Sequence, residues 1–474
     1  MAGLRKNLPV SSSFLAFCAA GAVSMAGLGG VAHAQSLQQA LQQTTISGEA
    51  GVSDFTYAND GHSSKTKNDF AVGGDIIIHT GAIDGFSAGF GGYTGQSLGI
   101  YSKNPNHDDS ELTSPTHSIQ SLREAYLQYV NSYLEIRGGR QMINTPYANQ
   151  DWYTFSPRAY MGFAGTINIL GQKNTNDADS APLSLETNPA TLSVFAARIF
   201  NTNLRYSSSF ISGNRYMDHS NGFITFGARY QNNFEGTNVG LQGWYYDFYG
   251  LAQLTYSQAD FSTPLNSNRS LFGAAQMVTE GNSGSGNRVQ DMAGQKYNID
   301  AHIYGGKLGM AFANNDQVAL IGDYSPEANG SFRHGGLVHP YNDNSGTVFT
   351  DTMQTGIGDF GPGYAYGITG TVYAFNNQLK INPTYVEYNV DYGCGGNIYA
   401  YDGTYGFPSA CKPIHDQAIH VVDVGFNYDM SRLLKGLSFT WNTDAAFAQN
   451  DSSATSNHYN NPYFSSRLYL NYKF

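Results

Sequence analysis

The chain contains 474 residues, of which 13% are charged and 14% are aromatic, with 36 acidic against 25 basic side chains. A soluble domain carries about 25% charged residues, so this composition is poor in charge and rich in aromatic side chains. Disordered chains show the opposite balance. A net charge of −11 disfavours a nucleic-acid partner, because phosphate binding requires a basic face.

Residues 1–34 have the pattern of a secretory signal peptide. Two basic residues near the start precede an apolar stretch at 14–30, and Ala32-His33-Ala34 forms a small-x-small cleavage site. The sequence therefore predicts a removed leader and one mature domain at 35–474. Beyond the first 30 residues, no run of about 20 apolar residues predicts a membrane-spanning helix.

From residue 45 onward, apolar and polar residues alternate with the period of a β-strand. In the C-terminal segment, Phe464, Leu468 and Phe474 share one face, and Arg467 and Lys473 share the other. Eighteen such segments are predicted, and most are close to the roughly 9–11 residues that a tilted strand needs to cross a bilayer. They lie near 45–53, 70–80, 85–94, 122–130, 133–142, 192–200, 203–211, 222–230, 238–246, 250–258, 269–279, 297–312, 317–325, 364–375, 378–390, 418–428, 436–448 and 463–474.

The connections between these segments alternate in length. Links after even-numbered strands are mostly short, as at 131–132 and 376–377, whereas 143–191 and 326–363 are long links after odd-numbered strands. Outer-membrane barrels have this arrangement. The predicted fold is an all-β, transmembrane, antiparallel β-barrel of about 18 strands, with short periplasmic turns and long extracellular loops.

In a bilayer, the apolar side chains of such a barrel must face lipid and the polar ones the lumen. An 18-strand barrel with a polar interior is wide enough for water and solutes. These features predict a porin, exported through the periplasm to the outer membrane of a Gram-negative bacterium. Its predicted partners are membrane lipid and lipopolysaccharide, small solutes, and the barrel assembly machinery, which would recognise the strand ending at Phe474. Both a monomer and a homotrimer remain open.

The mature chain keeps Cys394 and Cys411, 17 positions apart. In an oxidising compartment such a pair is predicted to form one disulfide, worth about 3 kcal/mol in the chain-entropy model. Two free thiols are the alternative. No His lies at a zinc spacing with Cys or a second His, and Gly356 to Gly361 fits G-x-G-x-x-G only within a loop. No metal, cofactor or enzymatic activity is therefore predicted.

Neighbouring segments resemble a known porin family. Leu122 to Tyr129 (LREAYLQY) and Leu134 to Pro146 (LEIRGGRQMINTP) are similar to paired strands of the OprD family of outer membrane porins. Trp152 to Gly162 (WYTFSPRAYMG) resembles the start of its third loop, and the likeness at 240–258, 318–326 and 436–439 is patchier. The resemblance implies an 18-stranded barrel whose third loop folds into the lumen, for uptake of small, mostly carboxylate-bearing solutes, including amino acids.

The family guides carboxylates along lumenal basic residues, so the resemblance implies a similar ladder here. Strand parity predicts four inward arginines with polar neighbours: Arg137, Arg198, Arg205 and Arg229. The planar guanidinium suits bidentate binding of a carboxylate. A charge facing lipid at mid-depth costs about 2–4 kcal/mol, so a lumenal charge without a special role is the alternative. The motif arginine Arg140 has lipid-facing parity unless a bulge at Gly138-Gly139 reverses it.

An acidic wall is predicted opposite the ladder. The acidic candidates in the third loop are Asp151, Asp177, Asp179 and Glu186, and Asp300 and Asp423 are predicted to face inward from strands. Arg158 of the same loop is a candidate residue of the constriction. Separated basic and acidic walls create a transverse field that selects zwitterions and anions. Solvated loop charge is the alternative for the loop acids.

Two other functions fit the same fold. A sugar porin would carry aromatic side chains along the lumen, and Trp244 and Tyr246 have inward parity, although most aromatic residues have lipid parity. A surface structural protein or adhesin with an incidental channel is compatible with the long loops at 326–363 and 391–417. The sequence favours a substrate-selective diffusion channel over both.

Overall fold

The computed structural model describes residues 37–58, 66–100, 112–113, 118–152, 155–172, 182–186, 188, 190–214, 216–217, 219–284, 289–290, 296–341, 348–353, 356–392, 414–449 and 463–474. The predicted leader, Asp177, Asp179, Cys394 and Cys411 lie outside these residues. Among the described helices, none is long and apolar enough to span a membrane.

Strands make up most of the described chain. The strands are β1 (Thr45–Ala58), β2 (Lys67–His79), β3 (Phe86–Ser97), β4 (Ile119–Val130), β5 (Leu134–Gln141), β6 (Ala159–Leu170), β7 (Leu192–Asn203), β8 (Phe223–Phe234), β9 (Thr237–Phe248), β10 (Ala252–Asn266), β11 (Arg269–Asn282), β12 (Val289–Gln290), β13 (Lys296–Tyr297), β14 (Asp300–Phe312), β15 (Gln317–Ser325), β16 (Gly363–Ala374), β17 (Leu379–Tyr392), β18 (Ile414–Asp429), β19 (Leu437–Gln449) and β20 (Tyr463–Lys473). The helical elements are α1 (Leu37–Gln42), a 3-10 turn at Phe332–His334, and α2 (Ile357–Phe360).

Eighteen of these strands form one closed antiparallel sheet, and β12 and β13 pair only with each other. Successive barrel strands are hydrogen-bonded neighbours, and β20 closes the ring against β1, with Arg467 opposite Phe55. Closure leaves no free strand edge, which a lipid environment requires because it cannot hydrogen-bond the backbone. The predicted 18-strand barrel is confirmed.

The two faces of the wall differ in chemistry. The outer face presents exposed apolar side chains, such as Ile76, Leu127, Leu308, Leu320 and Ile368. The residues between them point inward and are largely buried by the loops. Apolar side chains outside and polar groups inside form the pattern of a membrane-spanning barrel.

The strand assignment differs from the predicted one at two places. β6 lies inside the segment 143–191 that was predicted to be a loop, and the predicted strand at 203–211 is mostly a loop after β7. β6 lacks clear alternation because its inward residues, such as Gly162 and Ala164, are small and its outward ones, such as Phe163, are apolar. Residues 204–211 alternate by chance. The two errors compensate, so the total remained correct.

Two connections on opposite ends of the barrel meet inside it. The third loop, now 142–158, leaves β5 at the end that carries the long loops, called here the loop end. The link 171–191 leaves β6 at the opposite end, called here the turn end, and is long for that side. Ile143 and Leu183 form a parallel bridge, so both connections enter the lumen and contact each other.

One side of the lumen is filled by an apolar core. Trp244, Tyr246 and Tyr256 project inward from β9 and β10, and Tyr147 of the third loop packs on the last two with ring centroids 6.1 and 6.0 Å apart. Tyr341, from the connection between β15 and β16, joins the same cluster. Buried polar side chains concentrate on the opposite wall, on β19, β20 and β1 to β5.

Candidate functional site

A β-bulge on β4 turns two consecutive charged residues toward the lumen. Gly91 pairs with Glu124, whereas Gly92 pairs with Leu122, so Arg123 is the extra residue. Arg123 and Glu124 are both almost fully buried, while Leu122 faces outward. Strict alternation places Arg123 and Glu124 on opposite faces, so the sequence prediction missed this pair.

Arg123 ties two loops to the wall through backbone carbonyls. Its Nη1 donates to the carbonyl of Pro157 at 2.5 Å and to that of Leu204 at 3.1 Å. Its Nη2 donates to the carbonyls of Arg205 at 2.9 Å and Ser207 at 2.8 Å. The guanidinium therefore fixes the end of the third loop against the segment that follows β7.

Beside Arg123, the predicted site residues Arg158 and Arg205 both contact a third predicted residue, Asp151. Asp151 lies 3.9 Å from the Nη2 of Arg158 and 3.4 Å from the Nε of Arg205. Arg205 was predicted to lie on a strand, but it is a buried loop residue, because β7 ends at Asn203. Arg123, Arg158 and Arg205, all buried, and the partly exposed Asp151 form a group that we call the loop-end arginine cluster.

Arg137 lies on the lumenal face of β5, as its parity predicts. Its Nε donates to Gln128 at 2.5 Å, its Nη2 contacts Glu135 at 3.0 Å, and its guanidinium lies 4.8 Å from the ring centroid of Tyr126. The side chain is buried. The arginine is thus held in one orientation by a carboxylate, an amide and an aromatic face.

Arg229 lies on the lumenal face of β8 and heads a row of amide side chains. The strand registers place Arg229 opposite Gln242, Gln242 opposite Gln258, and Gln258 opposite Gln276. We call these four residues the lumenal glutamine row. Cross-strand register joins residues that are far apart in sequence, so strand patterns alone could not assemble the row.

Hydrogen bonds orient two of these amides. Trp244 donates its indole N–H to the side-chain oxygen of Gln242 at 3.0 Å, and the Tyr256 hydroxyl donates to that of Gln258 at 2.6 Å. The Gln258 amide nitrogen also donates to the carboxylate of Asp260 at 3.5 Å. Because an amide nitrogen carries two N–H groups, the second N–H of Gln258 and those of Gln242 are the donors that can reach an external acceptor. Gln242, Gln258 and Arg229 are only partly buried.

A second cation lies near this row. Gly305 of β14 is paired with Gln276, and Lys307 lies two positions further along the strand. Lys307 faces the lumen opposite Ala274. It is partly exposed. Arg229 donates through Nη1 to the backbone oxygen of Glu186 at 3.1 Å. Glu186 belongs to the turn-end link rather than to the third loop, and its own side chain is exposed.

Two predicted ladder arginines are on the outside of the barrel. Arg198 is paired with Phe163 and Ile224 and shares their outward face, so its predicted inward position is wrong. Its segment is one strand in which Val194 and Ala196 also point outward. Arg140 also faces outward, because the register of β4 and β5 runs through Gly138 and Gly139 without a shift. The proposed parity-reversing bulge is absent there.

The predicted strand acids behave differently from each other. Asp300 lies opposite Gly281 on the outer face, is 61% exposed, and contacts His302 at 3.2 Å, so its predicted inward position is wrong. The buried, inward residues of this part of β14 are Ala301 and Ile303, so Asp300 has the outward parity. Asp423 faces the lumen, where its carboxylate accepts the backbone N–H of Met353 at 2.7 Å.

Asp423 is one of three lumenal carboxylates that hold the connection between β15 and β16. Glu280 accepts the N–H of Val338 at 2.7 Å, and Asp323 accepts the N–H of Thr350 at 2.7 Å. The three acids come from β11, β15 and β18. They anchor a long loop inside the barrel through charge-assisted hydrogen bonds, so these carboxylates have a structural role that parity does not reveal.

Another acidic group on the polar wall was missed by the sequence prediction. Glu49 of β1 is paired with Asp75 of β2, and Lys473 lies 3.8 Å from Glu49. Glu124 accepts the hydroxyl of Tyr93 at 2.7 Å on the same wall. Within the predicted strands, the parity of Glu49 with Ser47 and Ser53 was an available signal for this placement.

The inward aromatic residues do not form an open track. Trp244 and Tyr246 do face the lumen, as predicted, but they are 4% and 0% exposed. The N–H of Tyr147 donates to the hydroxyl of Tyr246 at 3.2 Å, so the third loop covers this surface. No group of three or more metal-ligating side chains occurs in the described part of the chain.

Solved porin structures share this fold. OccK9 (OpdG) from Pseudomonas aeruginosa superposes with a TM-score of 0.68 at 14% identity, over 92% of this chain and 99% of that one. A BenF-like porin from Pseudomonas fluorescens gives 0.67 at 12% identity, over 92% and 99%. OccK2 (OpdF) from Pseudomonas aeruginosa, solved in complex with glucuronate, gives 0.66 at 14% identity, over 92% and 98%. The fold expected from the OprD-like segments is confirmed.

The comparisons by sequence give no match. No family model and no curated protein sequence matches this chain. The likeness is therefore one of fold, carried by nearly the full length of the porin structures.

Proposed function

We propose that the chain is an outer membrane diffusion channel for small carboxylate-bearing solutes. The lumenal glutamine row is the observation that carries this proposal. Arg229 supplies a guanidinium. The amide oxygens of Gln242 and Gln258 already accept hydrogen bonds, and Gln258 donates one N–H to Asp260, so the remaining amide N–H groups are the donors offered to a solute. Hydrogen-bond donors beside a fixed cation suit a carboxylate, which only accepts hydrogen bonds when ionised.

The ladder predicted from the sequence is revised accordingly. Arg137 and Arg229 remain lumenal, Lys307 is added, and Arg140 and Arg198 are removed because they face outward. We infer that the loop-end arginine cluster contributes a positive field near the third loop, while the accessible cations lie deeper. Charges that line a narrowed, low-dielectric passage attract ions of opposite sign.

The neighbours support the same solute class. OccK2 was solved with glucuronate, a carboxylate-bearing sugar acid. The aromatic track that a neutral-sugar porin would need is covered here, since Trp244 and Tyr246 are buried and the third loop contacts Tyr246. A carboxylate is therefore the favoured substrate feature, and amino acids belong to the same class.

The test compares two solutes that differ by a carboxylate. Mature protein is reconstituted in liposomes, and the uptake of radiolabelled glucuronate and glucose is measured. We expect wild type to favour glucuronate, and Arg229→Gln combined with Lys307→Gln to lower that preference by about tenfold, since two charged contacts are lost. Arg198→Gln is the matched control, because it removes an outward arginine.

Two results would contradict the proposal. Equal uptake of both solutes by wild type would show that the channel does not prefer carboxylates. An unchanged preference in the protein with Arg229→Gln and Lys307→Gln would show that these two residues do not select the carboxylate.

A further inference from the structure

Two arginines lie on the outer surface of the barrel near its loop end. Arg140 of β5 and Arg198 of β7 face outward on either side of β6, opposite Met161 and Phe163. Two strand spacings and this two-residue offset place their backbones roughly 12 Å apart. A positive charge on this surface is costly in hydrocarbon and is tolerated only toward the membrane interface. At the interface, the two guanidinium groups are placed where they can pair with an anionic group.

Local contacts hold Arg198 at the interface. Its Nη1 donates to the carbonyls of Ile199 and Phe223, the latter at 3.3 Å. The guanidinium carbon lies 4.4 Å from the ring centroid of Phe200 and 4.7 Å from that of Tyr249. The side chain thus extends toward the loop end, as a cation at a bilayer edge does.

Arg140 is held in a similar way. Its Nη1 donates to the carbonyl of Leu122 at 3.2 Å, and its guanidinium carbon lies 4.8 Å from the ring centroid of Phe210. In both arginines, the hydrogen bonds from described residues engage only Nη1. Nε and Nη2 can therefore donate to an external anion in the bidentate geometry that phosphate favours.

The surface between the arginines is apolar. Phe163 and Phe200 both point outward, with ring centroids 6.4 Å apart and 47% and 39% of their surface exposed. Neither arginine forms an ion pair with a described carboxylate. The outward Asp247 lies two strands from Arg198, across Ile224, and accepts the hydroxyl of Ser283 at 2.6 Å.

We propose that Arg140 and Arg198 bind the phosphate groups of a glycolipid in the outer leaflet, lipopolysaccharide, with an acyl chain against Phe163, which lies opposite Arg198. The site combines two donors at the interface with an apolar surface beside them, which matches a lipid that carries phosphate above hydrocarbon. The inference rests on the outer membrane location of the proposed function and is independent of solute passage.

The experiment measures lipopolysaccharide retained per barrel after purification from a Gram-negative host. Wild type is compared with Arg140→Gln plus Arg198→Gln, and with the matched control Arg269→Gln plus Arg432→Gln. The control removes one arginine at the start of β11 and one in the turn after β18, both at the turn end. We expect the first double variant to retain about one tenth of the lipid that wild type retains. The control variant should retain the wild-type amount. Arg140→Lys plus Arg198→Lys should retain part of the binding, because the charge stays and the fork is lost.

Add-back of purified ligands identifies the bound group. Stripped wild type should regain thermal stability with intact lipopolysaccharide, and should not with dephosphorylated lipopolysaccharide or inorganic phosphate. The folded barrel is verified by its heat-dependent gel mobility, and single-channel conductance in phospholipid bilayers should be unchanged by the double variant. The proposal is overturned by equal lipid retention in the double variant, by equal stabilisation with phosphate alone, or by a changed oligomeric state with unchanged lipid.

Discussion

Arg123 shows why the role of a single charged residue depends on geometry that its sequence neighbours do not reveal. Its guanidinium reaches carbonyls on both sides, including those of Pro157 and Ser207. The strand pattern predicts that Arg123 and Glu124 lie on opposite faces, and the bulge brings both inside. Parity did locate Arg137 and Arg229, because β5 and β8 keep regular alternation around them.

Replacing Arg123 by Lys tests its role as a connector. Lys keeps the charge, but its three N–H groups radiate from one nitrogen and cannot match the spread of carbonyls that two guanidinium nitrogens reach. We expect the unfolding free energy to fall by about 1.5–3 kcal/mol, the value of hydrogen bonds to a charged group. Urea unfolding in lipid vesicles, followed by tryptophan fluorescence, measures the change.

The control for this prediction is Arg432→Lys, in an exposed turn. Its effect should be near zero. Equal unfolding free energies for wild type and Arg123→Lys would show that the carbonyl contacts contribute no stability.

Strand β5 carries two glycines with different constraints, and they show how an element is shaped by close approach of its neighbours. Gly139 has φ +130°, and a Cβ there would lie 2.3 Å from the carbonyl oxygen of Ala125. A Cβ on Gly138 would lie 3.0 Å from the ring of Phe163, which can rotate away. The pair therefore accommodates a tight β4–β5 contact without the bulge that the sequence suggested.

Alanine substitutions separate the two positions. Gly139→Ala forces a side chain into a strained backbone conformation against a backbone oxygen and should cost about 2–3 kcal/mol. Gly138→Ala should cost less than about 1 kcal/mol. Thermal unfolding in detergent measures both, and equal costs would contradict the assigned close approach.

The connection between β15 and β16 depends on lumenal carboxylates for its position. Asp323 and Asp423 each accept one backbone N–H, from Thr350 and Met353. Sequence parity predicted that Asp423 faces inward but assigned it to a solute-selective wall. The partner atoms are backbone amides from a distant loop, and no residue pattern reports them.

Removing these anchors should release the loop. Asp323→Ala and Asp423→Ala each leave a loop amide without its acceptor, at a cost of about 1–3 kcal/mol. Hydrogen exchange at Thr350 or Met353 should accelerate by about tenfold or more. Asp260→Ala is the control, because Asp260 lies on the lumenal face of β10 and no described hydrogen bond links it to the loop. Unchanged protection of both amides would rule out the anchoring role.

At the scale of the molecule, the barrel follows from period-2 alternation and from closure. Each strand has an apolar outer face, and the last strand, ending at Lys473, pairs with β1. Those features are local in sequence, so strand number and architecture were predictable. The way in which loops fill the lumen was not predictable. The third loop, the turn-end link and the connection after β15 meet through contacts between residues distant in sequence, such as Ile143 with Leu183 and Ala148 with Tyr341.

The most direct test of the central claim is single-channel current across a planar bilayer under a salt gradient, with refolded residues 35–474. We expect discrete openings whose reversal potential favours anions, with a smaller preference in Arg229→Gln plus Lys307→Gln and an unchanged one in Arg198→Gln. A folded barrel that conducts no current would contradict the channel. A reversal potential that favours cations and is unchanged by the lumenal substitutions would contradict the proposed passage of carboxylates along Arg229 and Lys307.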